Sequence, residues 1–207
     1  RERLNLLPDI PILLTVRRLV KRMGLENLIK ACALLKQRKP DLQFYLVIIG
    51  KGELFERLSF QIRDSGLENY VRLAGKIMGE EIHIYYETAD IFILPTVSLE
   101  GFGLATVEAL SSGLPVLGTP IGGTVEILKT IDSKLLFGGT SPEAIAERIE
   151  DFLINPESYY YLGEVCRKKA VERYGWDQVV DHLEKAFHVT WQLYPCHIEQ
   201  RKKTLVF

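Results

Sequence analysis

Residues 100–116 read EGFGLATVEALSSGLPV. A carboxylate, two glycines around a phenylalanine, an apolar run carrying a second carboxylate at Glu108, and then Gly-Leu-Pro-Val describe a loop, a short helix and the entry to a buried segment. The run before this stretch, Ile91–Leu94, is continuously apolar, and Val116–Gly118 begins another. A buried strand, a loop, a helix and a second buried strand form one βαβ unit. Continuous apolar runs, as opposed to alternating ones, fit parallel strands covered on both faces.

The same pattern repeats outward. Ile12–Val16, Phe44–Ile49, Val71–Leu73 and Leu135–Phe137 are further strand candidates, which makes six. Helical periodicity fills the gaps: Leu25, Leu28, Ile29, Cys32 and Leu35 share one face before Pro40 stops the run, and Ile82, Tyr85, Tyr86 and Ala89 share another. Alternation of this kind predicts an α/β fold: a Rossmann-like, doubly wound, six-stranded parallel sheet with helices on both faces. Beyond residue 141 the pattern turns purely helical, over Pro142–Ile154, Pro156–Arg173 and Trp176–Tyr194. The expected organisation is a linker over residues 1–10, one domain over 11–194 with extra carboxyl-terminal helices, and a loose basic tail over 195–207.

Composition narrows the classes. The 207 residues carry 26 basic and 27 acidic side chains, a net charge of −1, so no electrostatic footprint for nucleic acid is present. The 47% hydrophobic content is that of an ordinary globule, and no apolar run approaches the roughly 18 residues of a membrane span. Arg1-Glu2-Arg3 and the mixed segment after it do not read as a signal peptide. Cys32, Cys166 and Cys196 are odd in number and widely spaced, which fits a reduced, cytoplasmic setting, and the first two fall on apolar helix faces as buried thiols. His83, His182, His188 and His197 have no mutual spacing for a metal or a triad, and no metal site is expected. Tyr159-Tyr160-Tyr161 opens a helix and reads as core on one side and surface on the other.

In an open parallel sheet, ligands bind beyond the carboxyl ends of the strands, where the strand order reverses. The loops there are RRLVKRMG (17–24), GKGE (50–53), GKIMGE (75–80), PTVSLEGFG (95–103) and TPIGG (119–123), all crowded with glycine and charge. Gly101 and Gly103 allow close approach of the backbone, and a helix starting near Gly103 aims N–H groups and its positive dipole end at an anion. Glu100 beside that anion site would repel phosphate, but it can accept hydrogen bonds from hydroxyls. Glu108, one to two turns on, can accept from two vicinal hydroxyls, as acidic residues do on ribose. A nucleotide sugar fits this spacing; an exposed loop glutamate and a surface helix glutamate fit it too.

RRLV (17–20), VIIGKGE (47–53), VRLAGKI (71–77), the Glu100-to-Glu108 motif and GGTVE (122–126) together resemble the carboxyl-terminal, donor-binding domain of retaining GT-B glycosyltransferases of family 4, the glycosyl transferases group 1. The resemblance covers about residues 5–190. It implies transfer of a sugar from a nucleoside-diphosphate sugar to an acceptor, without a metal or other cofactor. Arg18 then takes the arginine position on the donor diphosphate and Glu100 lies against the transferred sugar, these two forming the catalytic pair. Phe102, Gly103 and Leu104 offer backbone amides to sugar or phosphate, and Glu108 lies on the ribose hydroxyls. Ile77 falls in the base-contacting loop, while Gly50 and Gly101 line the donor. One departure is plain: the family's second diphosphate cation, a lysine before the first loop's glycine, is Met23 here, so that Arg22 or Lys21 substitutes or the site works with one cation. The resemblance also implies an amino-terminal acceptor domain that this chain lacks, so that the chain alone holds donor and transfers little. An acceptor at the inner face of a membrane is compatible with it, as is self-association through the last helix, where Trp191 and Tyr194 would face the absent domain. A GT-B sugar-nucleotide epimerase and a non-catalytic nucleotide-sugar-binding domain are the alternatives. Base, sugar and acceptor stay open.

Overall fold

Five of the six apolar runs are strands: β1 Ile12–Val16, β2 Tyr45–Ile49, β3 Val71–Gly75, β4 Ile91–Leu94 and β5 Val116–Gly118. In the computed structural model, which describes residues 1–4, 6, 8–77, 79 and 81–193, they form one parallel sheet in the order β3-β2-β1-β4-β5. The sixth strand expected at Leu135–Phe137 is not a strand. Residues Ser133–Leu135 form a 3-10 turn, and only a single bridge joins Leu136 to Gly118. Leu135 and Phe137 are buried all the same. Their apolar character reported burial correctly, but a turn packed beside β5 satisfies that burial as well as a strand does.

The sheet's hydrophobic runs are fully covered: every residue of β4 and β5 is buried, as are Leu13, Leu14, Leu46, Val47 and Ile48. Helices supply the cover. They are α1 Leu25–Arg38, α2 Phe55–Asp64, α3 Glu81–Thr88, α4 Leu104–Ser111, α5 Gly123–Lys129 and α6 Pro142–Ile154. In α1 the buried positions include Leu25, Leu28, Ile29, Cys32 and Leu35, the stripe read from the sequence, and this helix packs against α6. Helix α6 starts where Ser141 accepts a hydrogen bond from the Ala144 N–H at 3.2 Å, with Pro142 at its first position, and buries Ile145, Ala146, Ile149 and Phe152. The Cys32 and Cys166 thiols are buried, and burial pushes both up to about 12, so neither is a reactive thiolate at neutral pH.

The helix expected over Pro156–Arg173 is two: α7 Glu157–Tyr160 and α8 Leu162–Tyr174. Tyr159 is fully buried, edge-on to Phe152 with ring centres 5.5 Å apart, whereas Tyr161 is exposed. The Tyr159 hydroxyl donates to Asp151. That bond, opposed by burial and aided by Asn155 and Arg148, holds the Asp151 carboxyl below its usual range. A carboxylate depressed in the folded state adds stability that is complete above its unfolded pKa and is lost as pH falls through the folded value. Asp151→Asn is therefore expected to melt lower than the parent at neutral pH and to close that gap as the medium is acidified below about pH 4; parallel melting curves across the whole range would show that the contact contributes nothing.

The chain divides into two compact units, Arg1–Lys169 and Ala170–Phe207. The sheet and every residue of the candidate site belong to the first. The described part of the second holds the end of α8 and α9 Trp176–Leu193, whose Trp176, Val179, Val180, Leu183, Phe187 and Trp191 recur at helical spacing along one side. Tyr194, Cys196, His197 and the tail over 195–207 lie outside the described residues. Among the described residues no helix is long and apolar enough to cross a membrane, and no group of three His, Cys, Asp or Glu is placed to hold a metal ion.

Candidate functional site

With all strands parallel and β1 lying between β2 and β4, the order reverses between β1 and β4, so the loops that follow these two strands open the crevice. The loop after β1 carries Arg17 to Gly24, and the loop after β4 carries Pro95 to Gly103. Backbone bonds from Val97 N and Ser98 N to the Arg22 carbonyl, at 2.9 and 3.4 Å, tie the two together. The Arg22 side chain donates from Nη1 to the Leu99 carbonyl at 2.7 Å. This bond ties the arginine to the loop after β4. Leu99 sits at φ 56, in the left-handed region where a leucine is strained by about 1–3 kcal/mol, directly before Glu100.

Glu100 is held from two sides. Its Oε2 accepts from Arg17 Nη2 at 2.6 Å and from Thr96 Oγ1 at 2.9 Å, and both sites are largely closed to water. Burial alone would raise this carboxyl, yet the Arg17 hydrogen bond and charge, with Thr96 and Arg22 assisting, hold it below the usual range. The Thr96 carbonyl in turn accepts from Thr119 Oγ1 at 2.6 Å, which joins the loop to the end of β5. The backbone of Glu100 is fixed by the next loop: Gly123 N donates to the Gly101 carbonyl at 3.0 Å, and a side chain at either Gly122 or Gly123 would overlap this segment.

Gly103 caps α4 at φ 84, so it needs the freedom that only glycine has, while Gly101 lies outside the left-handed region with open space around it. The first-turn N–H groups of Leu104 and Ala105 have no acceptor within their own helix, as in any first turn, and with the dipole they make the α4 start an anion-binding end. Phe102 and Leu104 are exposed at this end.

Two cavities lie beside α3. One, of about 330 Å³, is lined by Arg17, Arg18, Gly50, Lys51, Lys76, Ile77 and Ile82 among others, so that Arg18, Lys51 and Lys76 are the exposed cations of an otherwise apolar hollow. Arg18 is exposed there and Ile77 half-buried. Gly50 is required for a further reason, because a side chain on it would overlap the Arg17 carbonyl. The other cavity, lined by Ile82, His83, Tyr86, Glu108, Ser111 and Ser112, holds the second glutamate, and Ile82 borders both. Glu108 is exposed and accepts from Tyr86 Oη at 3.0 Å through Oε2. Burial and this carboxylate push the Tyr86 phenol upward, so it stays a hydrogen-bond donor at neutral pH. Glu100 therefore stands half-buried in the loop after β4, and Glu108 stands further along α4 in the opening beside α3.

Of the residues singled out in the sequence, Arg18, Gly50, Ile77, Glu100, Gly101, Phe102, Gly103 and Leu104 lie in the loops and helix start that follow the strands, Glu108 lies further along α4, and Arg22 braces the loop after β4. The sequence does not single out Arg17, Thr96, Thr119 or Tyr86 as site residues. The doubled arginine of RRLV was the one visible signal for Arg17, and nothing local distinguishes which of the two turns inward.

Residues 1–169 match the family model described as glycosyl transferases group 1. The chain belongs to this family. Among curated relatives, the GDP-mannose-dependent alpha-(1-6)-phosphatidylinositol monomannoside mannosyltransferase of Mycolicibacterium smegmatis is 31% identical over 182 residues, 85% of this chain and 47% of that protein. The amylovoran biosynthesis glycosyltransferase AmsK of Erwinia amylovora is 35% identical over 147 residues, 69% of this chain and 35% of that protein. Among solved structures, the sucrose-phosphate synthase of Thermosynechococcus elongatus superposes with a TM-score of 0.81 at 26% identity, over 93% of this chain and 48% of that one. The C-terminal domain of a glycosyl transferase group 1 family protein (LpcC) from Francisella tularensis shares the fold, with a TM-score of 0.69 at 23% identity, over 81% of this chain and 89% of that one. This group 1 chain spans about half the length of the curated relatives it matches, and it takes the GT-B Rossmann-like form.

Proposed function

We propose that this chain is the donor-binding half of a retaining glycosyltransferase, which moves a sugar from a nucleoside-diphosphate sugar to an acceptor held by the rest of a longer protein. The observation that carries this reading is the fixed Glu100 carboxylate beside the α4 start, with a cationic cavity on the same strand-end edge. The carboxylate suits a sugar hydroxyl, and the helix start and cationic cavity suit a diphosphate.

In this reading Arg18 holds the diphosphate. As the bond between the anomeric carbon and the diphosphate oxygen breaks, negative charge gathers on the leaving group, and Arg18 with the Leu104 and Ala105 N–H groups stabilises it. Glu100 orients the sugar, Glu108 grips the ribose, and the apolar wall with Ile77 receives the base. No metal is assigned a part. Relatives lend support: one curated mannosyltransferase is named for GDP-mannose, and a structure of similar fold, Anabaena Alr3699/HepE, was solved in complex with UDP-glucose.

A thermal-shift panel of UDP, GDP and ADP with UDP-glucose, GDP-mannose and ADP-glucose tests it. One base is expected to raise the melting temperature selectively, by a stabilisation of about 2.7 kcal/mol when ligand is at about 100 times Kd. No shift by any of the six at millimolar concentration, and no heat above dilution in calorimetry, would overturn it.

A further inference from the structure

Arg17 is a buried cation that the roles above do not use. Its side chain is 5% exposed, its Nη2 donates to Glu100 Oε2 at 2.6 Å, and the same nitrogen lies 2.8 Å from the Met23 sulfur. Nη1 is buried without an acceptor among the described residues. An unmet guanidinium donor is costly, so a side chain kept there in spite of it marks a contact with a purpose. Two arrangements compete for that purpose. A diphosphate cation should present N–H groups to the ligand; here one terminal nitrogen is already engaged and the other is shut from solvent, while the neighbouring Arg18 stands exposed in the cavity. A carboxylate anchor should grip one oxygen and leave the other, and this is the geometry seen. Both bonds to Glu100 enter Oε2, and Oε1 accepts none from a described residue. Met23 fits the same role, since its thioether accepts weakly and brings no second positive charge to compete with Arg17 for Glu100.

We propose that Arg17 is a positioning residue: it holds Glu100 turned so that Oε1 meets a hydroxyl of the donor sugar, and it does not bind the diphosphate. This rests on the reading of Glu100 given above. Arg17 acts through the carboxylate alone, so its effect must vanish once the carboxylate is gone.

A double-mutant cycle on this chain tests it, using Arg17→Met, Glu100→Gln and the pair, each titrated with the nucleoside diphosphate selected by the panel and with its sugar conjugate. Arg17→Met is expected to weaken the sugar conjugate about tenfold at neutral pH and to leave the bare diphosphate within about twofold. The loss should deepen as pH falls from about 8 to about 5, because Glu100 without its partner titrates upward; the parent should stay flat. On the Glu100→Gln background, Arg17→Met should add nothing. If Arg17→Met alone does not fold, the paired variant, which buries no unmatched charge, still reads this last term. Equal loss of both ligands, or an added loss on the Glu100→Gln background, would overturn the proposal. Glu100→Gln binding the sugar conjugate like the parent would instead remove the reading of Glu100, and a lone effect of Arg17→Met beside it would remove the positioning role as well. In the free chain, carbon NMR of the Glu100 carboxyl should show its pKa rising when Arg17 is replaced, and no change would likewise count against the anchor.

Discussion

Gly122→Ala is expected to destabilise the chain by about 3–5 kcal/mol, a drop in melting temperature of roughly 10 °C. Gly122 adopts φ 53 and ψ −142, backbone that glycine alone visits readily, and a Cβ there would overlap the Glu100 carbonyl oxygen and lie 3.3 Å from the Glu100 Cβ. The neighbouring atoms are main chain, so no side chain can swing aside to relieve the overlap. Gly101→Ala is the control, since a Cβ at Gly101 meets nothing within 4 Å and its backbone is not left-handed; it should melt within about a degree of the parent. Because the displaced atoms belong to Glu100, any Gly122→Ala that remains folded should also lose affinity for a sugar nucleotide. Equal melting of Gly122→Ala and the parent by circular dichroism would mean that this loop relaxes at little cost.

The second large effect divides the labour of the site. Arg18→Ala should weaken nucleoside diphosphate and sugar conjugate alike, by about 3 kcal/mol or two orders of magnitude, because a diphosphate loses a forked partner in a cavity it entered for charge. Glu108→Gln should weaken both as well, by about 1.5–3 kcal/mol, since the ribose is common to the two ligands. Tyr86 occupies only Oε2 of Glu108, and the amide oxygen of glutamine can keep that bond, so the fold should survive the change. Glu100→Gln should weaken the sugar conjugate alone and leave the bare diphosphate unchanged or slightly tighter, as a negative charge nearby is gone. Six titrations give the answer. Identical behaviour of the two glutamine variants toward both ligands would end the assignment of separate roles to Glu100 and Glu108.

Local sequence carried a great deal of this protein. The runs Ile12–Val16, Ile91–Leu94 and Val116–Gly118 become strands with those bounds, and Pro142–Ile154 becomes a helix with those bounds. Each is a continuous apolar run or a capped amphipathic one, so burial and hydrogen bonding along the segment point the same way. At Leu135–Phe137 they do not. Three apolar residues demand burial but not pairing, and the chain meets the demand with a turn and one bridge. Tyr159 and Tyr161, alike in sequence, separate into core and surface because Tyr159 lies within α7 against Phe152, while Tyr161 falls at the break between α7 and α8.

The sequence by itself determined the α/β class, the parallel sheet and the loops that would meet at its carboxyl edge, because these follow from the period of apolar residues and from glycines that no other residue could replace. It also determined which side chains could accept hydroxyls or face an anion there, by their chemistry. Only the tertiary structure decided which arginine of Arg17-Arg18 turns inward and which glutamate it meets. Arg17 and Glu100 are 83 residues apart and come together because β1 and β4 are neighbours in the sheet. Strand order is a property of the whole packed core, set by which faces can be covered together, and no short segment contains it. The same packing closes Arg17 from water and leaves Arg18 in the cavity, so that one of two adjacent identical residues becomes an anchor and the other an open cation.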